Sequence, residues 1–202
     1  MTTRLIARSI AFVAAWFTAT ALLPTAASAQ SAQQFSLQVS ALGAIPFGGG
    51  LENVDAGAGW EAQLRINPSA FSIGAGVEQT FHSVPSTSNR DITFLGGFVE
   101  PRYVVDIGSD NVVLYLSARA ALSQIKLQQG SFESTGTGYT LNGGGGLLFP
   151  LGARVNLDVG ATMGYKDLGV VDIPTGGGGT ATFDLGTGAN VVGRVGLAIG
   201  LG

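Results

Sequence analysis

The chain has 202 residues, 32 of them glycine and none cysteine, with a formal net charge of −3. Only 11 % of its residues are charged, where a soluble domain carries roughly 25 %. No disulfide or thiolate-metal framework is available, and without a basic cluster the chain offers nothing to nucleic acid. Mean hydropathy is +0.36, yet after the first thirty residues no apolar run is long enough for a spanning helix.

The chain opens as an export signal. Arg4 and Arg8 form a basic n-region, Ile10 to Leu23 is mostly apolar, and Ala27-Ser28-Ala29 supplies the small-x-small site. This predicts a cleaved signal peptide over 1–29 and one mature domain over 30–202.

The mature chain alternates from its start. Over 35–45, Phe35, Leu37, Val39 and Ala41 face away from Ser36, Gln38 and Ser40. A Gly-rich acidic loop (46–59) leads to a strand over 60–66, where Trp60, Ala62, Leu64 and Ile66 oppose Glu61, Gln63 and Arg65. After the turn at Asn67-Pro68-Ser69, strand 70–81 sets Phe71, Ile73, Ala75 and Val77 against Ser72, Gly74, Gly76 and Glu78. A polar loop (82–90) precedes strand 91–105, with Leu95, Gly97, Val99 and Tyr103 opposite Glu100 and Arg102.

A short turn at 106–110 leads to the clearest strand, 111–122. There Val112, Leu114, Leu116, Ala118, Ala120 and Leu122 form a greasy face, and Val113, Tyr115, Ser117, Arg119 and Ala121 form a face that tolerates charge. A third polar loop (128–136) precedes strand 138–149, with Tyr139, Leu141, Leu147 and Phe149 on one face. A turn at 150–152 leads to strand 153–165, where Val155, Leu157, Val159, Met163 and Tyr165 oppose Arg154, Asn156 and Asp158. The longest loop, 166–188, precedes strand 189–201, where Val191, Val195, Leu197, Ile199 and Leu201 oppose Arg194.

Eight strands joined by connections that alternate long and short predict an all-β, eight-stranded antiparallel up-and-down transmembrane β-barrel. A soluble lipocalin-type barrel alternates too, so the aromatic positions decide between them. Phe35, Phe71, Tyr103 and Phe149 fall at one rim, and Trp60, Phe81, Tyr139 and Tyr165 at the other. Two girdles bounding an apolar band match a bilayer. The polar face carries Glu61, Glu78, Glu100 and Asp158 with Arg65, Arg102, Arg119 and Arg194. Four acids against four arginines suit a crowded interior better than a water-exposed surface, which would carry more charge and more Lys. Pro101 lacks an N–H, which predicts a rim position or a bulge.

Little chemistry is available. His82 is the sole histidine and Ser83 follows it, but neighbours on a strand point to opposite faces, so a Ser/His/acid hydrolase is disfavoured. One His and no Cys leave no metal or cofactor set. Gly143–Gly146 and Gly176–Gly179 lack the Lys-Ser/Thr of a phosphate loop. The first is expected to be a thin patch of barrel wall and the second a loop tip. An interior that side chains fill predicts a polar plug.

Over 34–201 the chain resembles the OmpA/OmpX-like outer-membrane β-barrel family, on its eight strands, alternating loops, two girdles and inward Arg/Glu set. The resemblance implies insertion into outer-membrane lipid by the barrel-assembly machinery, with periplasmic chaperones as partners. It also implies a non-enzymatic role in envelope integrity, adhesion or surface interaction, with weak conductance in some members. The chain departs from many members in ending Gly-Leu-Ala-Ile-Gly-Leu-Gly, without a terminal aromatic. No peptidoglycan-anchoring role is expected. The alternatives are a narrow solute channel and, behind it, a lipid A-modifying enzyme using His82. The loops at 46–59 and 166–188 are the expected contact surface for an extracellular ligand. With Glu52, Asp55, Asp167, Asp172 and Asp184 against Lys166 alone, that surface is expected to be mildly acidic.

Overall fold

The computed structural model describes residues 34–84, 90–109, 111–129, 132–175 and 179–201. The predicted signal peptide lies outside them. Ten strands follow in order: β1 (Phe35–Phe47), β2 (Gly57–Ile66), β3 (Phe71–Ser83), β4 (Arg90–Val105) and β5 (Val113–Gln129), then β6 (Phe132–Pro150), β7 (Val155–Asp167), β8 (Val170–Thr175), β9 (Gly179–Asp184) and β10 (Thr187–Leu201).

Eight of these are staves. Each neighbour pairs antiparallel from β1 to β7, then β7 pairs with β10 and β10 returns to β1, with Phe35 opposite Leu201. This closes the eight-stranded barrel that the alternation predicts, and closure leaves none of the eight with a free edge. The remaining two strands, β8 and β9, form a hairpin inside the segment expected to be the longest loop. That hairpin joins the barrel through one pair, Gly136 with Val171.

The third predicted loop is mostly strand. Pairing between β5 and β6 runs without interruption from Val113↔Leu148 to Gln129↔Phe132. At 17 and 19 residues, both exceed the roughly 9–11 that cross a membrane. Their outward faces change character accordingly: Leu116, Leu122 and Leu141 are exposed and apolar, whereas Gln124, Lys126 and Thr137 beyond them are exposed and polar. The change falls at the level of Tyr139, which pairs with Leu122.

Alternation of the side chains produces two surfaces. Leu64 (61 % exposed), Leu116, Leu122, Met163 and Val195 are among the bulky apolar side chains pointing outward. Most of the buried side chains are polar, among them Gln38, Gln63, Ser72, Glu100 and Asp158. A water-soluble domain has the opposite arrangement. An inside-out distribution on a closed barrel needs lipid as its solvent.

Pro101 occupies neither a rim nor a bulge. Its pairing with Ile73 of β3 is intact. On the β5 side, pairing skips Glu100 and Pro101 and resumes at Arg102↔Ser117 in the register left at Val99↔Ala120. The missing N–H therefore removes one link of the ladder without shifting it.

Candidate functional site: the barrel interior

The inward face of β4 places Glu100 near the middle of the lumen, fully buried. All four predicted arginines converge on its carboxylate. Arg194 donates from Nη1 to Oε2 (2.6 Å) and from Nη2 to Oε1 (2.9 Å). Arg119 donates from Nε (2.8 Å) and Nη2 (2.6 Å) to Oε2. Arg102 Nε and Arg65 Nη2 (3.2 Å) take Oε1.

The other three acids stand around this hub. Arg119 Nη2 reaches Glu61 at 2.6 Å and its Nη1 reaches Glu78 at 2.8 Å. Arg102 Nη1 lies 2.8 Å from Asp158. Glu61 and Arg65 share a face of β2 but turn to different partners, Arg119 and Glu100. Each charge is thus compensated across the lumen. That compensation is needed because an isolated charge in a dry interior costs several kcal/mol.

Tyr115 belongs to the same network, although only its parity on the charge-tolerant face of β5 signalled it. Its hydroxyl donates to Asp158 Oδ1 at 2.6 Å and accepts from Arg194 Nη2 at 2.9 Å. Arg102 lies over its ring at 4.3 Å, and Arg119 lies over Phe98 at 3.9 Å. Both contacts favour the cation electrostatically. Gly146 and Gly160 face this phenol, and a Cβ on either would collide with its hydroxyl. Gly146, at the end of the β6 glycine run, thins the wall to admit a tyrosine.

Apolar clusters bound the network. Toward the short turns, Val104, Val113, Tyr115 and Leu148 pack together. Toward the loops, Leu51, Ile92, Phe94, Ile125 and Leu168 do so, with Val54, Val84, Leu127 and Leu185 against them. Leu51 arrives on a 3-10 turn, Gly49–Leu51. Gly48 and Gly49 hold positive φ there (70° and 55°), a region that only glycine enters cheaply. The backbone N–H of Asp55 donates to Ser83 O (2.9 Å), tying the same loop to the end of β3.

No protein-family model matches the sequence, and no curated protein matches it. Solved structures do. Neisserial surface protein A is similar at 18 % identity and TM-score 0.58, over 83 % of this chain and 97 % of that one. OprG from Pseudomonas aeruginosa is similar at 13 % and 0.53, over 85 % and 97 %. A major outer membrane protein from Thermus thermophilus is similar at 11 % and 0.51, over 82 % and 98 %.

The chain has the fold of these small outer-membrane β-barrels. The barrel carries its predicted aromatic residues on the outward face. Phe35, Trp60, Phe81, Tyr103, Tyr139 and Tyr165 are exposed, and Phe71 and Phe149 are half-buried. Phe71 pairs with Tyr103 near the short turns. The rings of Tyr139 and Tyr165 lie 6.0 Å apart toward the loops.

Two residues sit elsewhere than the sequence suggests. His82, expected as a polar rim residue, points inward and is buried. Its Nδ1 bonds to Asp55 O (2.9 Å), its Nε2 to Thr80 Oγ1 (3.1 Å), and its ring meets Phe94 edge-on. Ser83 points outward, so the two do not form a dyad. Lys166, expected as the single base of the outer loops, belongs to β7 and turns into the lumen, its Nζ 3.3 Å from the centre of the Phe94 ring. The loop end keeps exposed Glu52, Asp55 and Asp184 without it, and Lys126, exposed on the β5 extension, stands there as a base that the loop reading omits. The side chain of Asp172 and residues 176–178 lie outside the described parts. Among the described residues no group of three or more His, Asp or Glu could hold a metal.

Proposed function

We propose that this is a non-enzymatic outer-membrane barrel that serves envelope integrity and surface contact, with its lumen plugged by the Arg/carboxylate network. One observation carries the reading: Glu100 on β4 gathers Arg65 of β2, Arg102 of its own strand, Arg119 of β5 and Arg194 of the opposite stave β10 across the lumen, and the Leu51 cluster caps them at the loop end. A plugged interior leaves two working surfaces. The outward apolar band meets outer-membrane lipid. The loop end, with its acidic first loop and the β8–β9 hairpin, meets the environment and any extracellular ligand. Similarity to a neisserial protein named for the surface supports the same assignment. The barrel-assembly machinery and periplasmic chaperones are the partners in biogenesis.

Deleting 49–55 or 170–184 tests the reading. Each deletion is expected to leave a barrel that still migrates anomalously on a cold SDS gel until boiled, yet to reduce adherence of expressing cells to matrix or host surfaces. Unchanged adherence in both, or altered lipid A on overproduction that is lost in His82→Ala, would overturn it.

A further inference from the structure

Between the ion network and the apolar cap lies a small chamber of mixed polar and apolar lining, about 30 Å³ in volume. Glu78 and Arg119 form its floor, Phe94 and Lys166 its roof, and Asn142 and Asn190 part of its wall. We propose that this chamber binds two water molecules that bridge the Lys166 ammonium to the Glu78 carboxylate and the two asparagine amides.

Size limits the ligand first. A water needs roughly 10–15 Å³ of such volume, so 30 Å³ admits about two and excludes any organic solute. Polarity then selects among small species. Glu78 uses one oxygen, Oε2, for Arg119, which leaves the other for the chamber. Lys166 touches the face of Phe94 and has no hydrogen bond or ion pair among the described residues, so its three N–H donors are unspent. Asn142 and Asn190 are each 6 % exposed, and the Oδ1 atom of each has no partner among the described residues.

Donors and acceptors are both unmet around one space. Only a ligand that donates and accepts satisfies them together. A lone anion would face Glu78, and a lone cation would face Lys166 and Arg119. Buried waters typically bond to about three otherwise unsatisfied groups, which matches this lining.

Backbone register explains why the space exists. Asn142 and Asn190 both pair with Gly164 of β7, one from each side. Neighbouring strands are about 4.8 Å apart, so these two backbones stand roughly 10 Å apart. Gly164 offers no side chain to fill the interval, and a Cβ there would strike Asn142 Oδ1. Phe94, a member of the Leu51 cluster, bounds the chamber on the loop side.

A crystal structure of the detergent-solubilised barrel, at a resolution that shows ordered solvent, tests this. The expected result is two solvent peaks within hydrogen-bond distance of Lys166 Nζ, Glu78 and at least one asparagine amide. In Asn190→Leu, shown to be folded by its cold-gel migration, one peak should be lost. A chamber without solvent density would overturn the proposal. So would Lys166 bonded directly to Glu78, a bromide anomalous peak in place of water, or two unchanged peaks in Asn190→Leu.

Discussion

Glu100 on β4 and Arg194 on β10 stand on opposite sides of the eight-stave ring and meet in the lumen through two hydrogen bonds of 2.6 and 2.9 Å. Because Arg65, Arg102 and Arg119 bond to the same carboxylate, removing its charge leaves four buried cations short of an acid. Truncating one partner of a buried pair costs about 3–5 kcal/mol. Glu100→Gln should lower the unfolding free energy of the micelle-embedded barrel, read from urea titration, by that order. Glu78→Gln should cost less, because the Glu78 side chain is 20 % exposed and, among the described residues, bonds to Arg119 alone.

Gly146 and Gly143 are neighbours in one run yet differ in what a methyl group would meet. At Gly146 it strikes the Tyr115 hydroxyl, and at Gly143 it meets nothing within 4 Å. Overpacking a filled interior costs about 1–3 kcal/mol. Gly146→Ala should therefore destabilise the barrel by that order, and Gly143→Ala should be close to neutral. Equal effects in urea unfolding would break the link between the glycine run and the tyrosine.

Pro101 interrupts the β4–β5 ladder without shifting its register. Pro101→Ala restores an N–H facing β5, and a typical net hydrogen bond contributes about 0.5–1.5 kcal/mol. The variant should be more stable by that order, and its new amide at 101 should exchange slowly with deuterium. A fast-exchanging amide would mean that the gap is occupied by something other than the missing donor.

Period two carried most of the fold. It assigns Val113, Tyr115, Ser117 and Arg119 to one face and Leu114, Leu116 and Ala118 to the other, and closure follows from the count and the alternating connections. Three features were not legible because they depend on contacts between distant segments. His82 is buried because a carbonyl from the first loop, at Asp55, caps it. Lys166 turns inward because β7 extends through Asp167 to pair with Tyr139 and Thr187. Leu51 is apolar in a segment read as polar, and only the packing of Ile92, Phe94 and Ile125 beneath it reveals a cap. Composition matched four acids to four arginines, but not that one carboxylate would serve all four.

Leu51 is fully buried at the loop end, and it holds a segment otherwise tied by few bonds, among them Val54 N to Leu51 O (3.1 Å) and Asp55 N to Ser83 O (2.9 Å). Leu51→Ala removes packing worth roughly 2–5 kcal/mol in a closed core. The loss should be local. Amide exchange at Val54 and Asp55 should accelerate by at least about tenfold while mid-strand amides of β1 and β2 stay protected. Uniform acceleration throughout the barrel would show that the cap supports the whole fold.

The measurement closest to the central claim is single-channel recording in a planar lipid bilayer, using protein first shown to be folded by its heat-modifiable migration. A lumen plugged by the Glu100 network and capped by Leu51 predicts a flat current with no resolved steps across the voltage range. Discrete steps whose amplitude changes in Arg119→Ala would contradict it, and would make the interior a solute path.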